Sequence, residues 1–439
     1  MSHLAHIKDR CAGAVDVVVI GAGHSGLAAG HLLAEHDIGH VVLERGEVAN
    51  AWRERSWDSL TLLTPNWQTR LPGFHYNGDD PHGYMGTAEL VSFIEAYARS
   101  STSPLLTNTA VTSVSKSDAL YRVETERGVW TAKAVVIASG AANKPTVPAF
   151  ARDLPGHITQ LTPFDYVSAA NIKPGGVLVV GASATGMQFA DELSRAGYDV
   201  TIAVSEHVRM PRRYRGRDIM DWMDRCGILG QTYEEVEDLA RGRRLPSSQL
   251  VGCGKRPILD LNSLREQGVN IAGRLMGANR MQAQFSGSLR NVCALADLKM
   301  KRLLRAIDAV ADTDAQASPA EQFLDTRIDD SPLLTLDLGA IGTIIWATGF
   351  RPDYSWLDVP VLDRKGALRH DGGVVDSPGL YVLGLPLMRT RKSSFIFGIE
   401  DDARYVTTHI NNYLNKTERS NHNVVYQDHS SQPGYRRSA

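Results

Sequence analysis

Two glycine-rich hexapeptides carry the clearest chemical signal in this chain: Gly21-Ala22-Gly23-His24-Ser25-Gly26 and Gly181-Ala182-Ser183-Ala184-Thr185-Gly186. Each follows a run of apolar β-formers, Val17–Ile20 and Val177–Val180, and each opens a segment of helical periodicity. In such a turn the first glycine allows a tight bend and the second lets the backbone approach a pyrophosphate. The third lets the helix pack closely on its strand. The pyrophosphate then rests on unpaired N–H groups at the positive end of a helix dipole. One turn points to one dinucleotide. Two point to a chain that holds two dinucleotides at once, so that electrons pass between them. Read singly, either turn also fits a plain strand-to-helix bend without a ligand, and Ser183 replaces the central glycine of the second.

The residues at the ends of the next strands differ in charge. Val41-Val42-Leu43 ends at Glu44, an acid suited to ribose hydroxyls and repelling to a 2′-phosphate. That favours FAD or NAD in the first unit. Val200–Val204 ends at Ser205, followed by Glu206 and a basic cluster that includes Arg209, Arg212, Arg213, Arg215 and Arg217. A hydroxyl followed by guanidinium groups suits a 2′-phosphate, so the second unit reads as an NADPH site with Ser205, Arg209 and Arg212 on the phosphate. Glu206 leaves an NADH reading open, and the arginines also fit an ordinary solvated face.

Stepping outward along the chain, the expected architecture is α/β, with two Rossmann-like dinucleotide-binding domains, the NADPH domain inserted into the FAD domain. Residues 1–13 read as a flexible start and 14–165 as the first part of the FAD domain. Residues 166–345 read as the NADPH domain, with a polar insertion at about 212–300. Residues 346–415 return to the FAD domain, with a helix from about Ile399 to Leu414, and 416–439 read as a flexible tail. Small residues at Ala138-Ser139-Gly140 let the chain pass close to a cofactor, and Leu380–Gly384 reads as a strand ending in glycine.

Composition bounds the function class. A chain of 439 residues is long enough for two or three domains. The formal charge of −2 gives no reason to expect nucleic acid or an anionic membrane as partner. No apolar run reaches membrane-spanning length, and no signal-peptide pattern opens the chain, so a cytoplasmic location is expected. The four cysteines contain no C-x-x-C, and no histidine spacing suggests metal ligation; no metal is expected.

Further pieces extend the pattern: Trp52-Arg53, Trp57-Asp58-Ser59-Leu60 leading to Thr64-Pro65, Leu71-Pro72-Gly73, Ala138–Pro148, and Ala347-Thr348-Gly349-Phe350. Together with the two turns and Glu44, the chain resembles, nearly end to end, the class B flavin-containing monooxygenases. Within that group it is similar to short bacterial flavoprotein monooxygenases related to plant YUCCA enzymes and to CzcO-type proteins. One stretch departs from the family. Where its linker fingerprint places histidine, this chain has Gln160, which hydrogen-bonds but does not titrate near neutral pH.

The resemblance implies FAD in the first domain and NADPH in the second. It also implies a flavin C4a-(hydro)peroxide that oxygenates a small nucleophilic or carbonyl substrate with O2. It places Gly21, Gly23, Gly26 and Glu44 on FAD, with Trp52 and Arg53 along the flavin or its phosphates and Leu383 and Gly384 bordering the ring. Gly181, Ser183 and Gly186 fall on the NADPH pyrophosphate. Thr64, Asn66 and Gln160 are candidates for the face where oxygen reacts. Arg391–Ser394 fit either a contact with the flavin or the substrate, or a surface loop. Two other classes stay open: an NADPH-dependent flavin oxidoreductase or oxidase without oxygenation, and a non-catalytic redox-sensing flavoprotein that regulates a transporter. A homodimer is compatible with all of these.

Overall fold

The computed structural model describes residues 12–256, 258–279 and 281–428. Valine-rich Gly13–Ile20 is a central strand, parallel to His40–Leu43 on one side and to Gly128–Ile137 on the other. Val17, Val18 and Val19 are fully buried because Val17 and Val19 pack against helices and Val18 against the residues of 111–132 and 354–361, which is why the run is continuously apolar rather than alternating. Leu105–Leu106 extends the sheet beyond His40–Leu43, and Leu380–Val382 pairs in parallel with Gly128–Ile137. An antiparallel meander, Val111–Ser117 and Leu120–Thr125, joins this first sheet, as do the short strands Leu357–Asp358, His370–Asp371 and Val374–Val375. Helix His24–Glu35 turns Leu27, Leu32 and Leu33 into the core and packs on the C-terminal helix, Ile399–Asp428.

The second sheet is wholly parallel, in the order Thr159–Leu161, Ile341–Trp346, Gly176–Val180, Val200–Ala203 and Asn270–Ala272. Helix Ala184–Arg195 covers it, with Met187, Phe189, Ala190 and Leu193 buried. First-sheet strands lie on both sides of this unit in the sequence, so the second Rossmann-like unit is inserted into the first. The two crossings run together: Lys144–Pro145 pairs antiparallel with Phe350–Arg351, and Phe164 stacks on Phe350 at 4.9 Å.

Four boundaries move from their expected places. Thr159–Leu161 joins the second sheet, so the first unit ends before residue 165. Asn270–Ala272 is the fifth strand of the parallel sheet, so residues 212–300 are not one polar insertion. The C-terminal helix runs to Asp428 rather than ending near Leu414, which removes much of the tail expected over 416–439. At the other end the first strand already includes Gly13; residues 1–11 and 429–439 lie outside the described residues.

Candidate dinucleotide sites

The two glycine turns are copies of one local structure. Gly21 and Gly181 have φ of +107° and +113°, in the region that glycine adopts without strain. The N–H of Gly21 donates to the Leu43 carbonyl at 2.7 Å, and that of Gly181 to the Ala203 carbonyl at 2.9 Å. A Cβ at Gly26 would fall on the carbonyl oxygen of Gly21, and one at Gly186 on that of Gly181. Gly21 and Gly181 are crowded in the same way by the backbones of Ala138 and Ala347, the residues that follow strands Gly128–Ile137 and Ile341–Trp346. Gly23 differs: nothing lies within 4 Å of its would-be Cβ, so its backbone is open to a ligand. Ser183 occupies the same place in the second turn with an extended backbone (φ −83°, ψ −176°) that a non-glycine residue accepts.

Around the first turn, four parallel strands end at one edge, the usual place for a ligand in an open α/β sheet. Glu44, at the end of one, is buried; its carboxylate accepts the N–H of Ala22 at 2.7 Å and that of Gly46 at 3.1 Å. Leu383 and Gly384 end another. The N–H of Leu383 donates to the Ile137 carbonyl, and Gly384 (φ +81°) has Ser25 Oγ 2.5 Å from its would-be Cβ. This brings the C-terminal glycine directly against the first turn. Burial holds the His24 imidazole down to about 4, so it is neutral at physiological pH. An anion here meets backbone N–H groups and not an imidazolium. Trp52 packs on the first hydrophobic core, and Arg53 forms an ion pair with Glu95 and donates to the Val48 carbonyl at 3.0 Å.

The second turn opens into a cleft of about 1040 Å³ between the two units. Gly181, Ser183 and Ser205 line it, as do Ala142, Phe350 and Pro386. Pro386 lies two residues beyond Gly384, so the cleft leads from the second turn toward the first. A segment from the stretch expected to be a polar insertion also lines it. Short helix Leu239–Gly242 is followed by Arg243 and Arg244, both lining the cleft, and Arg243 Nε donates to the Leu387 carbonyl at 3.3 Å. Buried Gln249 was also missed; its side-chain amide donates to the Ala182 carbonyl at 2.8 Å and props the second turn. Neither has a local motif, since each works through a contact far along the chain.

Several expected site residues are engaged elsewhere. Arg209, only 3% exposed, donates to Asp260 at 3.0 and 2.5 Å and to Asp297 at 2.6 Å. Arg212, 1% exposed, donates to the Leu63 carbonyl at 2.7 Å, pairs with Asp218 and lies over the Tyr84 ring. Neither lines the cleft. In both cases internal carboxylates and a carbonyl take up a guanidinium group that the sequence leaves without a partner. Asn66 is buried and clamps its own loop, donating to the Asp80 carbonyl at 2.9 Å and accepting from the Met85 N–H at 2.8 Å. Thr64 is buried in the same loop. Gln160 lies in the second sheet, bonded to Ala151 and Trp346.

Among the described residues no group of histidine, cysteine and acidic side chains is arranged to hold a metal ion, and no helix is long and apolar enough to cross a membrane. Cys226, Cys253 and Cys293 are free thiols.

Residues 18–219 match the pyridine nucleotide-disulphide oxidoreductase family model. A CzcO-like oxidoreductase of Geobacillus kaustophilus is 31% identical over 404 residues, 91% of this chain and 99% of that protein. The chain belongs to the CzcO-like oxidoreductases. This places it in the class B flavin-containing monooxygenase-like family, as an oxidoreductase. A probable indole-3-pyruvate monooxygenase of Arabidopsis thaliana, YUCCA4, is 31% identical over 277 residues, 56% of this chain and 65% of that protein. In three dimensions, a flavin-containing monooxygenase from Stenotrophomonas maltophilia superposes with a TM-score of 0.65 at 20% identity, covering 91% of this chain and 99% of that one. The CzcO-like fold is thus that of two-domain flavin monooxygenases.

Proposed function

We propose that this CzcO-like chain is an NADPH-dependent flavoprotein monooxygenase acting on a small nucleophilic or carbonyl substrate. The overall change is NADPH + H⁺ + O2 + substrate to NADP⁺ + H2O + oxygenated substrate. The observation that carries the reading is the pair of matching turns, joined by a cleft that leads from Gly181 to Pro386, beside Gly384.

The residues fit both cofactors. Gly21, Gly23 and Gly26 would admit the FAD pyrophosphate, with the Glu44 carboxylate toward its ribose and Leu383 and Gly384 bordering the ring. Gly181, Ser183 and Gly186 would receive the NADPH pyrophosphate, and Ser205 stands at the end of the strand that reads the ribose. Bound FAD would supply hydride acceptance and oxygen activation, chemistry that no side chain offers. The protein orients and excludes water. The Arg243–Arg244 segment lines the cleft, while the Thr64–Asn66 loop is buried and held by its own hydrogen bonds.

Spectroscopy and oxygen consumption test this together. Purified protein should carry FAD, be bleached by NADPH, and couple oxygen uptake to an oxygenated amine, sulfide or ketone. Stoichiometric hydrogen peroxide with every substrate would instead support an oxidase without oxygenation.

A further inference from the structure

Among the arginines near the second turn, Arg274 stands apart. Strand Asn270–Ala272 runs parallel to Val200–Ala203, with Ala272 paired to Ala203. Arg274 and Ser205 each lie two residues beyond that pair, at the same end of neighbouring strands, and both line the cleft. The Arg274 backbone is pinned: its carbonyl accepts the Ser286 N–H at 2.8 Å, and a Cβ on Gly273 would strike the Ser286 carbonyl. Its side chain is exposed, and its guanidinium makes no hydrogen bond or ion pair with any described residue. By contrast Arg209, Arg212, Arg215 and Arg217 are each paired with acids.

Among the described residues that line the cleft, Glu206 is the only acid, and two cations hold it. Glu206 accepts from Arg241 at 2.9 Å and from Lys299 at 3.1 Å, and these bonds hold it below the usual carboxylate range. The two cations offset its charge and occupy its Oε1, which weakens its repulsion of a phosphate.

We propose that Arg274, together with the Ser205 hydroxyl, reads the 2′-phosphate of the coenzyme and sets the preference for NADPH over NADH. This rests on the second turn being a nicotinamide-nucleotide site. A planar guanidinium with all its donors free matches a phosphate dianion, and the pinned backbone holds it in place without consuming those donors.

The test uses the full chain purified with its flavin, and titration calorimetry with NADP⁺ and NAD⁺ as probes. Wild type should bind NADP⁺ more tightly. Arg274→Ala should weaken NADP⁺ by about ten- to a hundred-fold, the worth of charge-assisted hydrogen bonds, and leave NAD⁺ unchanged. Arg274→Lys should recover part of the loss, and flavin content should stay at the wild-type level because the side chain is exposed. Equal weakening of both probes, or of neither, would overturn the assignment while leaving the site intact. Failure of wild type to bind either probe would overturn the nicotinamide site itself and this inference with it.

Discussion

The indole N–H of Trp346 donates to the side-chain oxygen of Gln160 at 3.0 Å, and the Gln160 amide donates in turn to the Ala151 carbonyl at 2.9 Å. Trp346 is the last residue of the strand that returns from the inserted unit, and Gln160 sits on the strand beside it. The pair ties the outward linker to the return strand just before Ala347 meets the second glycine turn.

Gln160 is therefore a structural tie between these two strands. Gln160→Ala should cost about 1 kcal/mol for the unpaired indole N–H and Ala151 carbonyl, with a small drop in Tm. Flavin content should be unchanged. A thermal melt beside a flavin absorbance spectrum checks both.

The matching turns allow their roles to be separated. Gly26→Ala should abolish retention of FAD, because its Cβ would displace the Gly21 carbonyl. Gly186→Ala should leave FAD bound and weaken NADPH by at least about ten-fold, since the equivalent clash distorts only the second turn. Flavin content after gel filtration and NADPH titration of the holoenzyme read the two outcomes.

Arg209 should behave as a core residue. Arg209→Met leaves Asp260 and Asp297 buried without their cation, and a loss of about 3–5 kcal/mol is expected. Arg209→Lys, which keeps the charge, should lose less. In the lysine variant the NADPH-to-NADH preference should match wild type. Urea unfolding and coenzyme titration distinguish this from a cofactor role.

Asp402, fully buried in the first turn of the C-terminal helix, gives a pH prediction. Burial raises its carboxyl from 3.8 to about 6, and the Ser393 hydroxyl with the charges of Arg389 and Lys392 offsets only part of that. An acid with a raised folded pKa binds its proton more tightly in the native state. Its contribution is then fully present below the unfolded pKa and is lost as pH rises through the folded one. Stability should fall by up to about 3 kcal/mol between about pH 4 and pH 6 from this group, then level off. Asp402→Asn should flatten that slope and be the more stable protein at about pH 7. Denaturant midpoints across this range, compared with wild type, decide it.

Much of the architecture was legible because it is written locally. Strand runs such as Val17–Ile20 and Val177–Val180, and the glycines that follow them, depend on backbone geometry within a few residues. Glu44 was legible for the same reason, as the last position of its strand unit. The insertion of one unit into the other followed from the order of these pieces.

Which charged side chains are free was decided only by tertiary structure. The carboxylates that hold Arg209 lie 51 and 88 positions away, and Asp312 and Asp314, which pair with Arg215 and Arg217, lie just after helix Leu289–Ala311. A guanidinium looks the same in sequence whether it faces solvent or a buried acid. The chain therefore announces two glycine turns of the dinucleotide-binding type, while the packing of distant segments selects which cations stay exposed beside them.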